Sequence, residues 1–392
     1  MDLGDVDMSD ARKSNGDTIK QPSSAPLAPA DRLAALDILR GLALFGVMAI
    51  NIVFEFRVSI FEQFLPAAKT TAPIDRAVGI FLDQFISLKA FALFSLLFGV
   101  GLAIQFDRLP AERRTVLLLR RLTVLLAFGL VHLTLIWNGD ILTEYALAGL
   151  FVLPLLFGPR WLLATAGLLF LGLYLTLWLT RLLPLPNAAW LAAHIVEARR
   201  IYETGSFSEI LSFRIGELGA IAPLHIWVFP RTLALFLFGA LIWRTGLLQR
   251  AAAYRHLLFG AALAALVLTI DAGRALATVT VASAYGAVII GVASTPFGAK
   301  MLGWAAPLGR MAFTNYLLQS LIFGWAFYGY GFGLFGRLGA ATALAFGVAV
   351  YGAQVVFSRC WLQRFNFGPV EWLWRTLMYG QLQPMKRSTA PA

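Results

Sequence analysis

The chain has 392 residues, of which 59% are hydrophobic and only 14% are charged. A soluble domain carries roughly a quarter charged residues, so this composition excludes a soluble globular protein and indicates a polytopic membrane protein. The net charge of +11 does not indicate nucleic-acid binding, because the basic residues flank apolar segments and form no single patch. The single cysteine, Cys360, excludes an intrachain disulfide.

Ten apolar segments follow a polar N-terminal stretch, and each segment is a candidate membrane-spanning helix. The predicted fold is therefore an all-α, polytopic transmembrane helical bundle with about ten spans. The sixth and seventh segments are short for a complete crossing. The candidate spans are 38–56, 78–106, 116–137, 141–157, 161–179, 232–243, 257–270, 275–293, 301–327 and 338–357.

The order of regions follows from these spans and from the polar segments between them. Residues 181–230 are too long for a simple connection, and their apolar residues at helical spacing predict amphipathic helices on the membrane surface. The predicted regions are a disordered cytoplasmic tail at 1–32, transmembrane helices one to five at 33–180, an extracytoplasmic segment at 181–230, transmembrane helices six to ten at 231–358, and a cytoplasmic interfacial helix and tail at 359–392.

The distribution of Lys and Arg predicts the orientation of the chain. If the N-terminus is cytoplasmic, about twenty basic residues fall on the cytoplasmic side and about ten on the opposite side. Cytoplasmic loops of membrane proteins carry an excess of basic residues. Both termini are therefore expected in the cytoplasm, which puts the turn between the third and fourth spans on the outer face.

That turn lies in the segment 129–149, GLVHLTLIWNGDILTEYALAG, where polar residues concentrate between two apolar spans. A hairpin here would gather an imidazole, two carboxylates and a phenol at one membrane boundary. Imidazole beside carboxylate is the commonest general-base arrangement. The structural alternative is that Asp140 caps the second helix and that His132 is a hydrogen-bonded histidine of the bundle. The candidate residues of the hairpin are His132, Trp137, Asp140, Glu144 and Tyr145.

Further polar and charged residues interrupt the predicted spans. Lipid cannot satisfy such groups, so they are expected to face the bundle interior. One interpretation is that they hydrogen-bond neighbouring helices together; their number favours a polar cavity shared with the hairpin. They are Asp37, Arg40 and Asn51 in the first span, Lys89 in the second, and Arg310, Thr314, Asn315 and Gln319 in the ninth.

Four blocks of the sequence occur in an order that is found in a known family. They are LDILRGLALFGVMAIN at 36–51, the hairpin pattern H-x4-W-x2-DIL-x2-Y, LGRMAFTNYLLQS at 308–320 and GPVEWLWRTLMYG at 368–380. Together they resemble the YeiB-like family, whose C-terminal half carries domain of unknown function 418. The resemblance spans roughly 33–380 and implies a multi-pass protein of the bacterial inner (cytoplasmic) membrane.

The first block is also similar to the first helix of the heparan-alpha-glucosaminide N-acetyltransferase family, through Asp37, Arg40 and Asn51. Members of that broad group move acyl groups from cytoplasmic acyl-CoA to acceptors across the bilayer. Their key histidine follows the first helix closely, whereas residues 51–76 contain no histidine here. If the chemistry is shared, His132 must act from a different helix.

The preferred hypothesis is a membrane acyltransferase that uses acyl-CoA as co-substrate and needs no metal. Its acceptor would be a lipid, a glycan or another small molecule. His132 would act as general base, oriented by Asp140 or Glu144. The carbonyl oxygen would be polarised by Asn315 or Tyr145. The arginines expected to hold the CoA phosphates are Arg40, Arg120, Arg121 and Arg310.

Two other functions use the same polar cavity. A transporter or flippase of a polar or amphipathic solute would bind no acyl-CoA, and transporters often show repeated halves. No internal repeat is evident here, which favours the acyltransferase. The third alternative is a structural partner subunit. Membrane lipid is an expected partner, a homo-oligomer is compatible with the sequence, and nucleic acid is not expected.

Overall fold

A computed structural model describes residues 34–65, 72–180, 182, 186–270 and 273–387. Over these residues the secondary structure is helical, and its β-structure is limited to an isolated bridge between Phe365 and Lys386. Seven helices of the described part are long and apolar enough to cross a membrane. The all-α polytopic membrane fold is confirmed; the number of ten spans and the orientation stay predictions. The predicted tail at 1–32 lies outside the described residues.

The helices are numbered in chain order. They are α1 (Ala34–Ile50), α2 (Pro73–Phe85), α3 (Lys89–Arg108), α4 (Ala111–Val131), α5 (Leu142–Val152), α6 (Arg160–Thr180), α7 (Ala188–Thr204), α8 (Phe207–Arg244), α9 (Arg255–Val267), α10 (Arg274–Ala293), α11 (Pro296–Leu302), α12 (Ala306–Arg310), α13 (Ala312–Phe327), α14 (Ala340–Arg364) and α15 (Pro369–Tyr379). Two of them continue as π-helical turns, α1 through Asn51–Phe56 and α4 through His132–Ile136.

Helix α1 is buried along most of its length and packs against α3, α10, α12, α13 and α14. Its close approach to α12 depends on two glycines. A Cβ added at Gly41 would lie 2.2 Å from the carbonyl oxygen of Ala305, and one at Gly309 would lie 1.9 Å from that of Asp37. Because neither position has room for a side chain, α1 is fixed at the centre of the bundle.

Helix α8 corrects the predicted boundary at residue 230. It runs for 38 residues, or about 57 Å, which exceeds the roughly 30 Å of a bilayer core. Pro223 and Pro230 lie inside it without ending it, although a proline in a helix interior removes one backbone donor. The predicted sixth span is therefore the end of a longer helix, and residues 207–230 belong to that helix and not to a separate segment.

The predicted ninth span, 301–327, is also wrong as one helix. The structure divides it among α11, α12 and α13, with a 3-10 turn at Gly303–Ala305 and a break at Met311. Pro307 opens α12, where proline is tolerated because the first backbone N–H of a helix has no partner. The break starts α13 at Ala312, inside the bundle, and exposes unpaired N–H groups that need an acceptor.

The candidate functional residues lie toward two ends of the bundle. The hairpin end contains the turn 137–141, the π-helical turns of α1 and α4, and helix α7. The arginine end contains Arg40 on α1, Arg121 on α4, and α15 packed against α4 and α13. Along α4, Arg121 and His132 are eleven residues apart, which corresponds to about 17 Å.

Candidate active site

The candidate site forms where α4 turns back into α5. The π-helical turn His132–Ile136 closes with a hydrogen bond from the backbone N–H of Trp137 to the carbonyl oxygen of His132, at 2.7 Å. A π-helical turn contains one residue more per turn than an α-helical one, so it changes the direction of the side chains that follow it. Single π-turns are frequent at functional sites. Here the turn carries His132 itself.

His132 joins two partners that come from different parts of the chain. Its Nδ1 lies 2.8 Å from Oδ1 of Asp140, and its Nε2 lies 2.9 Å from Oγ of Ser320 on α13. A carboxylate only accepts hydrogen bonds, so Nδ1 carries the proton and Nε2 is left to accept the serine O–H. The arrangement is carboxylate, imidazole and hydroxyl in series, which is the order used in nucleophilic catalysis by serine.

Asp140 performs both roles that the sequence left open. Its second carboxylate oxygen, Oδ2, accepts a hydrogen bond of 2.7 Å from the backbone N–H of Thr143 in the first turn of α5. One oxygen thus caps a helix, and the other orients an imidazole. Because both oxygens are engaged, the side chain of Asp140 has one position, and the ring of His132 is held in place with it.

The site is shielded by aromatic residues. His132 and Asp140 are buried, and the indole of Trp137 stacks on Phe56 with ring centroids 4.4 Å apart. The rings of Trp137 and Tyr316 lie 6.2 and 5.2 Å from the imidazole. Exclusion of water strengthens electrostatic interactions inside such a site. Trp137, a candidate residue of the hairpin, is thus one of the aromatic neighbours of His132.

Glu144 and Tyr145 are residues of α5, and their side chains form hydrogen bonds with groups other than His132. The carboxylate of Glu144 accepts hydrogen bonds from the hydroxyl of Thr232 and from Nδ1 of His225, the latter at 3.0 Å. The hydroxyl of Tyr145 donates to the carbonyl oxygen of Phe91 at 2.8 Å. The expectation that one hairpin gathers all four polar groups is therefore wrong for these two residues.

Asn315 and Gln319 connect α13 to α14. The amide of Asn315 donates to Ser358 at 2.9 Å, and the amide of Gln319 donates to Gln354 at 2.8 Å. Gln354 in turn donates to the backbone carbonyl of Asn315 at 3.0 Å. These contacts match the interpretation of polar groups that hold helices together. They turn the side chain of Asn315 toward α14 and away from His132.

The carboxylate of Glu371 caps the N-terminus of α13 and also binds Thr314. Glu371 accepts hydrogen bonds from the backbone N–H groups of Phe313 at 2.8 Å and Thr314 at 3.0 Å, and also from the hydroxyl of Thr314. Burial raises the pKa of the Glu371 carboxyl above its ordinary value. This carboxylate supplies the acceptor that the break at Met311 requires, so Thr314 has a structural role.

The arginines of the predicted CoA site lie at the arginine end. The guanidinium of Arg121 lies over the ring of Trp374 at 3.9 Å, within electrostatic range of Arg40 and Arg375. Arg40 pairs with Asp37 at 2.8 Å. Arg120 lies beside Gly380 at the end of α15, and Arg310 donates to the carbonyl oxygen of Asn366. We call Arg40, Arg121 and Arg375 the basic cluster, because the positive charges of Arg40 and Arg375 act on Arg121.

Asn51 and Lys89 lie away from the imidazole contacts. Asn51 is buried in the π-helical turn of α1. The ammonium of Lys89 donates to the backbone carbonyl of Asp83 at 2.9 Å, where the chain turns between α2 and α3. Leu88 precedes it in a left-handed conformation with φ of 60°. Lys89 therefore belongs to this turn and not to the hairpin site.

Several polar residues of the hairpin end were absent from the sequence predictions. Glu217 on α8 binds Nε2 of His194 at 2.7 Å, the amide of Asn138 at 2.9 Å and the hydroxyl of Tyr202. Burial raises the pKa of Tyr202 well above its ordinary value. No local pattern could identify these partners, because they come from α7, α8 and the turn.

An apolar groove begins at Ser320. It has a volume of about 370 Å³ and is lined by Leu135, Ile136, Phe207, Ser320, Leu321, Trp325 and Tyr330. We call it the Ser320 groove. The side chains of Leu135, Leu321 and Trp325 are about half exposed and point away from the bundle. A mostly apolar pocket of this size with few polar groups is typical of a small-molecule or lipid site.

Comparison with known proteins decides the family. The chain is 33% identical to the uncharacterized protein YxaH of Bacillus subtilis, over 94% of this chain and 99% of that protein. It belongs to the YeiB-like family. The family profile described as "Protein of unknown function (DUF418)" matches residues 225–381. Uncharacterized protein YeiB of Escherichia coli is 31% identical over 88% of this chain and 96% of its own length. No solved structure is significantly similar to this YeiB-like protein.

Proposed function

We propose that this YeiB-like protein is an acyltransferase of the bacterial inner membrane, with His132 as general base. The observation that carries the proposal is the series Asp140, His132 and Ser320, with contacts of 2.8 and 2.9 Å. An imidazole whose Nδ1–H is held by a carboxylate keeps Nε2 directed at the group that loses a proton. The burial of the site supports the proposal, because general-base catalysis by a fixed imidazole needs no contact with bulk water.

The reaction transfers an acyl group from the thioester of acyl-CoA to a hydroxyl or amine of a lipid, a glycan or a small molecule. The C–S bond of the thioester breaks, and a C–O or C–N bond forms. His132 receives the proton that the acceptor loses and returns it to the leaving thiolate, so that coenzyme A departs as the thiol. The transfer involves no oxidation and consumes no other reactant.

The basic cluster at the arginine end supports an acyl-CoA donor. Arginine recognises phosphate through paired, charge-assisted hydrogen bonds. Arg121 lies over Trp374 of α15, and Arg40 and Arg375 are within electrostatic range of it. Helices α1 and α4 connect this cluster with the hairpin end. The proposal assigns phosphate binding to the arginine end and bond breaking to the hairpin end, with both termini in the cytoplasm.

The test is thioester turnover by the purified protein in lipid nanodiscs. Acyl-CoA donors of several chain lengths would be supplied with phospholipid and glycan acceptors, and thiol release and acylated product would be measured together. A Cys360→Ser background is needed, because the exposed thiol of Cys360 would react with the thiol reagent. We expect thiol and product in equal amounts. An absence of both with every donor would reject the acyltransferase.

A transporter or flippase is the second candidate, and one observation favours it. Three histidines pair with buried carboxylates at the hairpin end: His132 with Asp140, His194 with Glu217 and His225 with Glu144. Chains of histidine and carboxylate inside membrane proteins serve as proton relays. Sealed vesicles containing the protein would then move protons with a solute and release no thiol from acyl-CoA.

A further inference from the structure

Ser320 lies where a serine nucleophile would lie, with its Oγ 2.9 Å from Nε2 of His132. We propose that Ser320 carries the acyl group as a covalent ester, and that a medium or long acyl chain fills the Ser320 groove. This inference rests on the proposed acyl transfer, and it names both a further catalytic residue and the class of acyl group. Three features of the structure lead to it.

The first feature is the environment of the hydroxyl. Ser320 is buried, and its Oγ has two neighbours, Nε2 of His132 and the carbonyl oxygen of Tyr316 at 3.3 Å. Both neighbours can accept the single hydroxyl proton of Ser320, and the shorter contact, 2.9 Å to Nε2 against 3.3 Å to the carbonyl oxygen, favours donation to the imidazole. A hydroxyl that donates to a carboxylate-bound imidazole is activated for attack.

The second feature is the position of Ser320 at the junction between the buried site and the groove. Ser320 contacts the imidazole and also lines the groove, together with the apolar side chains of Leu135, Leu321 and Trp325. An acyl group attached to Oγ would therefore have its carbonyl carbon beside His132 and its chain along these residues. Burial of each methylene in such surroundings favours longer chains.

The third feature is the outward opening of the groove. The side chains of Leu135, Leu321 and Trp325 are 49%, 52% and 56% exposed. Leu135 lies near the end of a helix that is long and apolar enough to cross a membrane, so a lipid tail would be a favourable neighbour for this exposed apolar surface. A hydrocarbon chain would thus remain in an apolar environment from the groove to the lipid, which is the environment that it prefers.

The proposed chemistry has two balanced steps. In the first, Oγ of Ser320 attacks the thioester carbonyl, the C–S bond breaks, and His132 moves the serine proton to the leaving thiolate. In the second, the acceptor O–H or N–H attacks the serine ester, the bond from Oγ to the acyl carbon breaks, and His132 returns the acceptor proton to Ser320. The serine is regenerated, and Asp140 holds the Nδ1–H of His132 in both steps.

The experiment looks for the ester directly. Purified Cys360→Ser protein in nanodiscs would be mixed with acetyl-CoA or palmitoyl-CoA without acceptor and quenched in acid. Intact-mass measurement and peptide mapping would then locate the adduct. We expect a palmitoyl adduct on Ser320 and at least about tenfold less acetyl adduct under the same conditions. Ser320→Ala should give no adduct and should lose turnover by at least about a hundredfold.

Ser358→Ala is the matched control, because Ser358 is also buried and bonds to a side chain of α13 without lining the groove. It should form the adduct as the parent does. Ser320→Cys keeps the shape of the site and should form a thioester adduct that hydroxylamine cleaves, which guards against misfolding of the alanine variant. Leu321→Trp should narrow the groove and reduce the palmitoyl adduct more than the acetyl adduct.

The outcomes separate this inference from the function on which it rests. Thioester turnover that persists in Ser320→Ala within about threefold of the parent would overturn the covalent role and leave the acyltransferase intact. Equal or greater acetyl labelling would overturn the assignment of the groove. A lack of turnover with every donor in the parent protein would reject the acyltransferase itself, and the inference with it.

Discussion

The two ends of the bundle hold their charged groups in opposite ways. At the hairpin end, carboxylates pair with histidines, as in Asp140 with His132 and Glu217 with His194. At the arginine end, guanidinium groups lie over aromatic rings, as Arg121 does over Trp374 and Arg375 over Phe367, at 3.9 and 4.6 Å. The histidines of the hairpin end can exchange protons near neutral pH, whereas the arginines of the other end keep their charge.

This difference indicates that the two ends of the bundle have different functions. A histidine held by a carboxylate can take up and release a proton within a reaction, whereas an arginine stays charged and serves to bind anions. An acyl-CoA donor has both needs in one molecule, since its phosphates are anionic and its thioester requires proton transfer. Single substitutions can test each end separately.

Asp140→Asn should have the largest effect among changes that keep the structure intact. The amide oxygen can still accept the N–H of Thr143, so the start of α5 should be preserved. The amide cannot hold the Nδ1–H tautomer as a carboxylate does, and turnover should fall by about 10² to 10⁴. Turnover and melting temperature would be measured on the same preparation. A large loss of melting temperature with unchanged turnover would mean that Asp140 is only a helix cap.

Arg121→Gln should raise the KM for acyl-CoA by about tenfold, with kcat changed much less, because a charge-assisted contact to phosphate contributes to binding. A short acyl thioester without phosphates should be turned over equally by the variant and the parent. Arg255→Gln is the matched control, since Arg255 is exposed at the start of α9. Equal KM values for all three proteins would remove the arginine end from the donor site.

Glu371→Gln tests stability at the arginine end. Burial raises the pKa of Glu371, so ionisation is less favourable in the folded chain than in the unfolded chain. The contribution of this carboxyl to stability is therefore greatest at low pH and decreases as pH rises through the folded pKa. The variant should be less stable by about 1 kcal/mol in acid, and the difference should narrow toward higher pH. Melting curves that diverge with rising pH would contradict this sign.

Glu144→Gln should have the smallest effect on turnover, within about threefold, because its carboxylate binds Thr232 and His225 and not His132. The same variant separates the two candidate functions. If the protein moves protons with a solute, loss of this buried carboxylate should abolish transport in sealed vesicles. Turnover and transport would be measured side by side with Asp140→Asn as the comparison.

The sequence predicted the pair of His132 and Asp140 because both residues lie in one short hairpin. It failed for Glu144, whose carboxylate contacts Thr232 and His225 on α8, residues that are more than 80 positions away along the chain. Ser320 was not identified as a partner, because 188 residues separate it from His132 and only the packing of α13 on the hairpin brings them together.

The sequence predicted which segments form apolar helices, but it did not predict where those helices are interrupted. Pro230 lies inside α8, where the predicted regions change, and Pro307 lies in the first turn of α12, inside a segment predicted as one helix. Asn315 and Gln319 hydrogen-bond to Ser358 and Gln354 on α14, a pair that is also four residues apart. The sequence alone does not connect these two pairs.

The central claim is that the imidazole of His132 moves a proton during acyl transfer. Its most direct test is the turnover of acyl-CoA by His132→Gln in nanodiscs, beside the parent protein and with melting temperature as the measure of folding. Glutamine can keep a hydrogen bond to Asp140 or to Ser320 but cannot take up the proton. We expect a loss of turnover of at least about a hundredfold with a nearly unchanged melting temperature. Turnover within a few-fold of the parent protein would contradict it.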